Sequence, residues 1–345
     1  MVGSGVLQDI ESWFQRAGLS GPFLVVSQPR IFKAVGGGLR KRFPVELIPD
    51  GERAKSLATV TRLLHRFSKL QMNRQSTVVA LGGGVTGDVT GFAASIYMRG
   101  IAVVQAPTTL LAQVDSSIGG KTGVNFSTVK NLVGAFHQPR LVLADIDTLR
   151  SLPAREYRSG LYEALKYGII CDRELYEEFG NNLGPILNRD TEVIERLVAR
   201  CASIKADIVS RDEREGDLRR VLNLGHTVGH GLETAARFQR LKHGEAVGYG
   251  MIAAVRISRS IGRMSKDEAL RTESMIRGIG SLPALKGLRL STVMDALRHD
   301  KKIRDGAVHF VLPLRIGRVE IVRDIPLPLV RDTVKALLDE NKHSR

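Results

Sequence analysis

The sequence predicts a Rossmann-like α/β nucleotide-binding domain over residues 1–150, followed by a mainly α-helical domain over residues 151–345. Three observations carry this. Short apolar runs alternate with amphipathic segments through the first 150 residues, the pattern of a parallel sheet with helical crossovers. A glycine run, Gly82-Gly83-Gly84, follows the third apolar run. Beyond Pro153 the strand signals fade, and three of the eight histidines fall within one short segment.

In chain order, FLVVS (23–27), FPVELI (43–48), TVVAL (77–81), IAVVQ (101–105) and LVLA (141–144) read as strands. Leu57, Val60, Leu64 and Phe67 mark one face of a helix between the second and third of them. Ligand sites in such sheets lie beyond the carboxyl ends of the strands. After FPVELI comes Asp50-Gly51-Glu52-Arg53-Ala54-Lys55, a turn with two carboxylates and a lysine. After TVVAL, Gly82, Gly84 and Gly87 fit GxGxxG between a strand and a helix, where bare amides can cradle a pyrophosphate. The acidic residue usual some 20 positions further on is missing, so the Asp50–Lys55 turn is the candidate ribose grip, and a plain tight turn is the alternative. Residues 105–131 are dense in small hydroxyls, glycine, Asp115, Lys121, Lys130 and Asn131, and are expected to form an ordered anion-binding loop that Arg99 joins.

From Pro153 onward helical periodicity dominates. Glu163 and Lys166 lie three apart on one helix face, where a plain surface ion pair is the simplest reading. Lys205 lies on a further helix, and helices are expected over 251–261 and 266–279. LRHDKK (297–302) precedes an expected hairpin, Val308–Val322, with its turn near Gly317. His226 and His230, four apart, share a helix face, and His243 follows after enough chain to fold back beside them. Converging imidazoles point to a metal or a proton-transfer site. The poor helix formers Gly225, Gly229 and Gly231 fit a place where something approaches the backbone closely.

Composition, at 43% hydrophobic and 25% charged residues, is that of a soluble protein. Cys171 and Cys201 have no metal or CxxC spacing and read as reduced thiols in a cytoplasmic protein. No signal-like N-terminus and no run of 18 apolar residues occurs, which argues against export and membrane spanning. The net charge of +15 raises nucleic-acid binding, but the basic residues are dispersed and aromatics are only 5%, so anionic small ligands are the better account.

GGGVTGD, RGIAVVQAPTTLLAQVDSSIGGKTGVN, LPAREYRSGLYEALKYG, LNLGHTVGHGLE, HGEAVGYGM and HDKK, in this order over residues 50–315, resemble the 3-dehydroquinate synthases of the shikimate pathway. The resemblance implies a dehydroquinate synthase-like fold, with an NAD-binding α/β domain, a helical metal-binding domain, an active site in the cleft between them, and a homodimer. It implies conversion of 3-deoxy-D-arabino-heptulosonate 7-phosphate, an anionic sugar phosphate, to 3-dehydroquinate and phosphate. NAD would be used without net consumption, with Zn2+ (or Co2+) as the metal. Matched residue by residue, the metal ligands would be Glu163, His226 and His243. His230, Lys121, Lys130, Asn131, Lys166 and Asp115 would be catalytic, and Arg99, Lys205, Arg219, Asn223, Lys301 and Lys302 would bind substrate. NAD would be held by Asp50, Gly51, Glu52, Lys55, Gly84, Val85, Thr86, Gly87, Asp88, Thr108, Thr109, Thr148 and Ser151, with Lys121 and Lys130 nearby.

Two departures from the family pattern stand out. Gln28 and Arg30 replace the usual Asp and Asn after the first strand, which predicts altered NAD affinity and tolerance of a 2′-phosphate through Arg30. Val129 replaces a Gly before Lys130, and a β-branched residue disfavours positive φ, so this loop is expected to differ in shape. The rival readings are another sugar phosphate cyclase, such as a 2-deoxy-scyllo-inosose synthase-like enzyme, a metal-dependent polyol dehydrogenase, and a basic nucleic-acid-binding protein.

Overall fold

The computed structural model describes residues 1–127, 129–237, 240–303, 309–323 and 325–340, and the side chains of residues 299–303 are outside that description. The chain forms two compact units, Met1–Pro153 with Arg189–Arg214, and Ala154–Asn188 with Glu215–Arg345. A single crossing near residue 150 therefore does not describe the chain. The helix Thr191–Arg211 returns to the first unit, where it packs on the Ala112–Ser116 turn. Its period is that of any amphipathic helix, so nothing local in its sequence marks which unit it joins.

The first unit is built on a parallel sheet in the order Val45–Leu47, Phe23–Ser27, Thr77–Gly82, Ala102–Pro107, Leu141–Val142. All five expected strands are present, Phe23–Ser27 with the ends expected and the other four with shifted ends. FPVELI is extended only from Val45, because Pro44 has no N–H to give the ladder and Phe43 turns into the core. LVLA divides, since Ala144–Asp145 pairs instead with Val2–Gly3, a short strand without a period to betray it. Strand alternation sorts the core into two layers. Leu24, Val26, Val78 and Val103 face Val60, Leu63, Phe67 and Phe92 of the Leu57–Lys69 and Gly84–Ile96 helices. Val25, Val79, Leu81 and Val104 face Ile10, Phe14 and Phe32 on the other side.

The segment expected as an anion-binding loop, residues 105–131, holds the end of the Ala102–Pro107 strand and the Ala112–Ser116 turn, and from Lys121 it enters an antiparallel hairpin, Lys121–Phe126 against Val129–Phe136. Its backbones touch at facing glycines: a Cβ on Gly134 would lie 2.1 Å from the Thr122 carbonyl oxygen. Val129 is part of the extended strand, and the positive φ angles fall on Ser127 and Asn131, so valine at 129 is unstrained.

The second unit is helical, with a hairpin of Phe310–Arg315 and Arg318–Val322 that turns at Gly317, φ 82°. Val308, the expected start of that hairpin, lies outside the described residues. The helix Ala154–Ile170 is buried on every side from Ser159 to Ile170, as a helix at the centre of a unit must be. Against it runs the helix His243–Ser260, which also packs on the helix His226–Ala235. Both contacts bring backbone onto backbone. A Cβ on Gly244 would lie 1.8 Å from the Ser159 carbonyl oxygen, and one on Gly250 would lie 1.7 Å from that of Gly225. No described helix is long and apolar enough to cross a membrane.

Gly250→Ala should therefore force two helices apart, destabilising the chain by about 3 kcal/mol or more in urea unfolding. Gly184→Ala, where a Cβ meets nothing within 4 Å, should leave the midpoint unchanged or raise it slightly.

Candidate active site

Three helices of the second unit each contribute one side chain to a common point. Glu163 comes from the middle of Ala154–Ile170, His226 opens its helix behind the left-handed Gly225 (φ 81°), and His243 opens the next helix. Their ligand atoms all lie within 4.8 Å of one another. His226 Nε2 is 3.7 Å and His243 Nε2 is 3.5 Å from the same Glu163 oxygen, and the two rings are 5.2 Å apart. Glu163 is fully buried, and the ammonium of the equally buried Lys166 bonds its other oxygen. The pair is not the surface ion pair that its spacing suggests.

The orientation of His226 is fixed from behind. Its Nδ1 lies 3.2 Å from the Leu224 carbonyl oxygen, which can only accept, so the proton is on Nδ1 and the Nε2 lone pair faces Glu163. Burial, then the Lys166 charge, hold the His226 pKa well below its usual value, so the ring is neutral and fit to ligate. Burial also opposes charge on His243, but the Glu163 and Glu233 carboxylates on its two sides outweigh it and raise its pKa to about 10. One buried carboxylate and two imidazoles form a donor set suited to a divalent ion such as zinc, with room left for other oxygens.

His230 stands one turn after His226, exposed, with ring centres 5.4 Å apart. Arg219, buried, and Asn223 lie on the Leu218–Asn223 turn of the same unit, where the Asn223 amide donates to Glu215 at 3.2 Å. Glu215 is an addition that the sequence reading did not single out, whereas Glu233 counts among the polar groups, with Asn223, His226 and His230, that the histidine segment sets in otherwise apolar surroundings. Glu233 was legible, because it lies seven residues after His226 on one helix face. Lys301 and Lys302 lie on the helix Leu290–Ile303, with their side chains outside the described residues.

In the first unit the strand order reverses direction between Phe23–Ser27 and Thr77–Gly82, the place where open parallel sheets bind ligands. Gly82–Gly84 lies there, and the Gly84–Ile96 helix starts without any side-chain cap. Its first amides have no intrahelical acceptor. Among the described residues, the buried hydroxyls of Thr86 and Ser116 beside the glycines have no hydrogen-bond partner. A capless helix start with polar atoms waiting around it suits a pyrophosphate. Thr108 and Thr109 border the same turn, the first donating its amide to Gly82 and the second lying 3.0 Å from where a Gly83 Cβ would sit.

The Asp50–Lys55 turn is tied to this crevice. Gln28 donates its side-chain amide to the Pro49 and Gly51 carbonyls at 2.8 and 3.4 Å, so its role here is to hold the turn, while Arg30 stays exposed with a guanidinium nitrogen 3.8 Å from Asp50. Lys55 is buried and bonds both Asp88 and the Asn131 side chain. Burial raises the Asp88 pKa, and Lys55 partly offsets that. Asn125 bonds Glu52 at 2.9 Å and the Asn131 amide at 3.0 Å, and Lys130 lies 3.9 Å from Glu52. The hairpin thus carries Asn131 and Lys130 onto the turn, while Lys121 starts its first strand, exposed. Lys205 donates to both the carboxylate and the carbonyl of Asp115 at 2.6 Å. Arg99 is exposed and follows Met98 in a pair of left-handed residues. Thr148 is buried, with its hydroxyl bonded to the Asp145 carbonyl and the Gln113 amide, and Ser151 caps back onto Thr148.

Sequence models of the 3-dehydroquinate synthase N-terminal and C-terminal domains match residues 45–159 and 160–303. A 3-dehydroquinate synthase from Solibacter usitatus is 45% identical over 324 residues, covering 92% of this chain and 91% of its own. Among solved structures, a 2-deoxy-scyllo-inosose synthase complexed with carbaglucose-6-phosphate, NAD+ and Co2+ superposes with a TM-score of 0.87 at 29% identity, over 97% of this chain and 95% of its own. A 2-epi-5-epi-valiolone synthase from Streptomyces hygroscopicus with NAD+ and Zn2+ gives 0.86 at 30% identity, over 94% and 92%.

Asp88→Asn keeps the shape of the Lys55 site but leaves its ammonium without a counter-charge. It should destabilise the chain by roughly 3 kcal/mol in urea unfolding. Glu11→Gln, which removes an exposed ion pair with Arg42, should leave the unfolding midpoint in place.

Proposed function

The chain belongs to the 3-dehydroquinate synthase family, and we propose that it converts 3-deoxy-D-arabino-heptulosonate 7-phosphate to 3-dehydroquinate and phosphate, a step of the shikimate pathway. The observation that carries the reading is the buried Glu163 carboxylate facing the Nε2 atoms of His226 and His243. The identity of 45% to a 3-dehydroquinate synthase, against 29% and 30% to the two cyclases acting on other sugars, favours this substrate over theirs.

In this reading Glu163, His226 and His243 hold Zn2+ or Co2+, and the uncapped helix start at Gly84 with the Asp50–Lys55 turn holds NAD. Bound there, the ion would supply Lewis acidity at a sugar oxygen and NAD a reversible two-electron acceptor, so that oxidation and reduction would cancel over a turnover. The other steps belong to the chain's own side chains. Lys166 pairs with Glu163 and offsets the charge of that buried carboxylate. His230, exposed next to the metal ligands, moves a proton as phosphate leaves. Arg219 and Asn223 offer a cation and an amide to the substrate's carboxylate and hydroxyls, holding one pose for the successive steps. In the first unit Lys121, Lys130 and Lys205 supply positive charge for anionic groups, Arg99 a further guanidinium, and Asp115 and Asn131 set the positions of Lys205 and Lys55.

The enzyme is cytoplasmic in this account and works as a homodimer. Val133 and Ala135 of the hairpin pack on the core, and the alternate residues Leu132 and Phe136 stand 58% and 48% exposed, an apolar edge that a second copy would cover.

The test is phosphate release from the heptulosonate phosphate by zinc-loaded protein with catalytic NAD, followed together with NADH absorbance. Phosphate should appear with dehydroquinate and no net NADH. Turnover of glucose 6-phosphate instead would overturn the substrate, and net NADH would overturn the cyclase. His230→Ala should lower kcat by about 10²- to 10⁴-fold with a smaller change in KM. Removing the metal with a chelator should abolish turnover, and added Zn2+ or Co2+ should restore it.

A further inference from the structure

His243 meets a carboxylate at each of its ring nitrogens. Nε2 lies 3.5 Å from Glu163 and Nδ1 lies 3.5 Å from Glu233. Glu233 is only 8% exposed, and it sits on the helix that begins with His226. That helix therefore supplies one imidazole of the site and the group standing behind the other. A buried carboxylate is costly unless it accepts hydrogen bonds or faces positive charge. Glu233 faces the Nδ1 of His243 and can only accept from it, so a proton stays on Nδ1, and the nitrogen that can give up its proton to an ion is Nε2, on the side of Glu163 and His226. The Leu224 carbonyl does the same for His226.

We propose that Glu233 is a positioning residue of the metal centre: its carboxylate holds the Nδ1–H of His243 and so aims Nε2 at the ion. The inference rests on the reading that Glu163, His226 and His243 ligate the metal. His230, Glu233 and His243 also have ligand atoms within 4.8 Å of one another. That set would take His243 through Nδ1, and a neutral imidazole offers one lone pair, so only one of the two sets can use it. His230 is exposed while Glu163 is fully buried, and the better shielded set includes Glu163.

The experiment is a zinc titration of the metal-stripped full-length protein against a chromogenic chelator, for wild type, Glu233→Ala, Glu233→Gln and Glu163→Gln. Far-UV circular dichroism and thermal melting of each metal-free protein serve as fold controls. Glu233→Ala should weaken zinc binding about 100-fold, and Glu233→Gln, isosteric and still able to accept from Nδ1–H, about tenfold. The visible spectrum of the cobalt-loaded Glu233→Ala protein should shift from wild type, which a purely structural role would not require. The glutamine variant decides the matter where the alanine variant does not fold. Wild-type zinc affinity in Glu233→Gln, with binding lost in Glu163→Gln, overturns the positioning role and leaves the ligand set standing. Wild-type affinity in Glu163→Gln overturns the ligand set itself and this inference with it.

Discussion

The second unit depends on two places where helices meet with no side chain between them. Gly244 lies on the Ser159 carbonyl and Gly250 on that of Gly225, so the helix His243–Ser260 is held in fixed register against both of its neighbours. Glu163 lies one turn beyond Ser159 on one neighbour, and His226 directly follows Gly225 on the other. Register between backbones becomes distance between ligands, because each ligating side chain stands within a turn of a glycine contact. Larger residues at those contacts would leave every helix intact and still separate the three donors.

Each unit buries charge, and each manages this by pairing. Glu163 has Lys166 on its own helix and imidazoles across from it, Lys205 has Asp115, and Lys55 has Asp88 with Asn131. These pairs hold side chains in set orientations more than they add stability, since desolvation removes most of the Coulomb gain. The consequence is positional: Lys55 links the turn after the Val45–Leu47 strand, the Gly84–Ile96 helix and the hairpin, so three separate segments around the strand ends share one ammonium.

The hairpin illustrates how local reading fails. Lys121 to Asn131 is rich in hydroxyls, glycine and lysine, which reads as loop, yet Gly123 and Gly134 are there to let two backbones close and Val133 and Ala135 to reach the core. Similarly, the departures at Gln28 and Val129 are absorbed by the fold, one as a brace for the Pro49–Gly51 turn and the other as ordinary strand.

Periodicity and motif order by themselves determined the class of the fold, the five parallel strands, the glycine turn and the converging His226, His230 and His243, because each of these is written in spacing along the chain, whereas Glu163 joined them only through the family resemblance. His226 and His230 declare a shared helix face without any tertiary information. Other features were decided only in three dimensions. The spacing of Glu163 and Lys166 permits a surface pair as readily as a buried one, and only packing on every side of their helix makes it buried. The helix Thr191–Arg211 joins the first unit although its sequence lies beyond the second unit's first helices. The two ring nitrogens of His243, Nε2 toward Glu163 and Nδ1 toward Glu233, bring together residues 80 and 10 positions away, a pairing that packing alone decides.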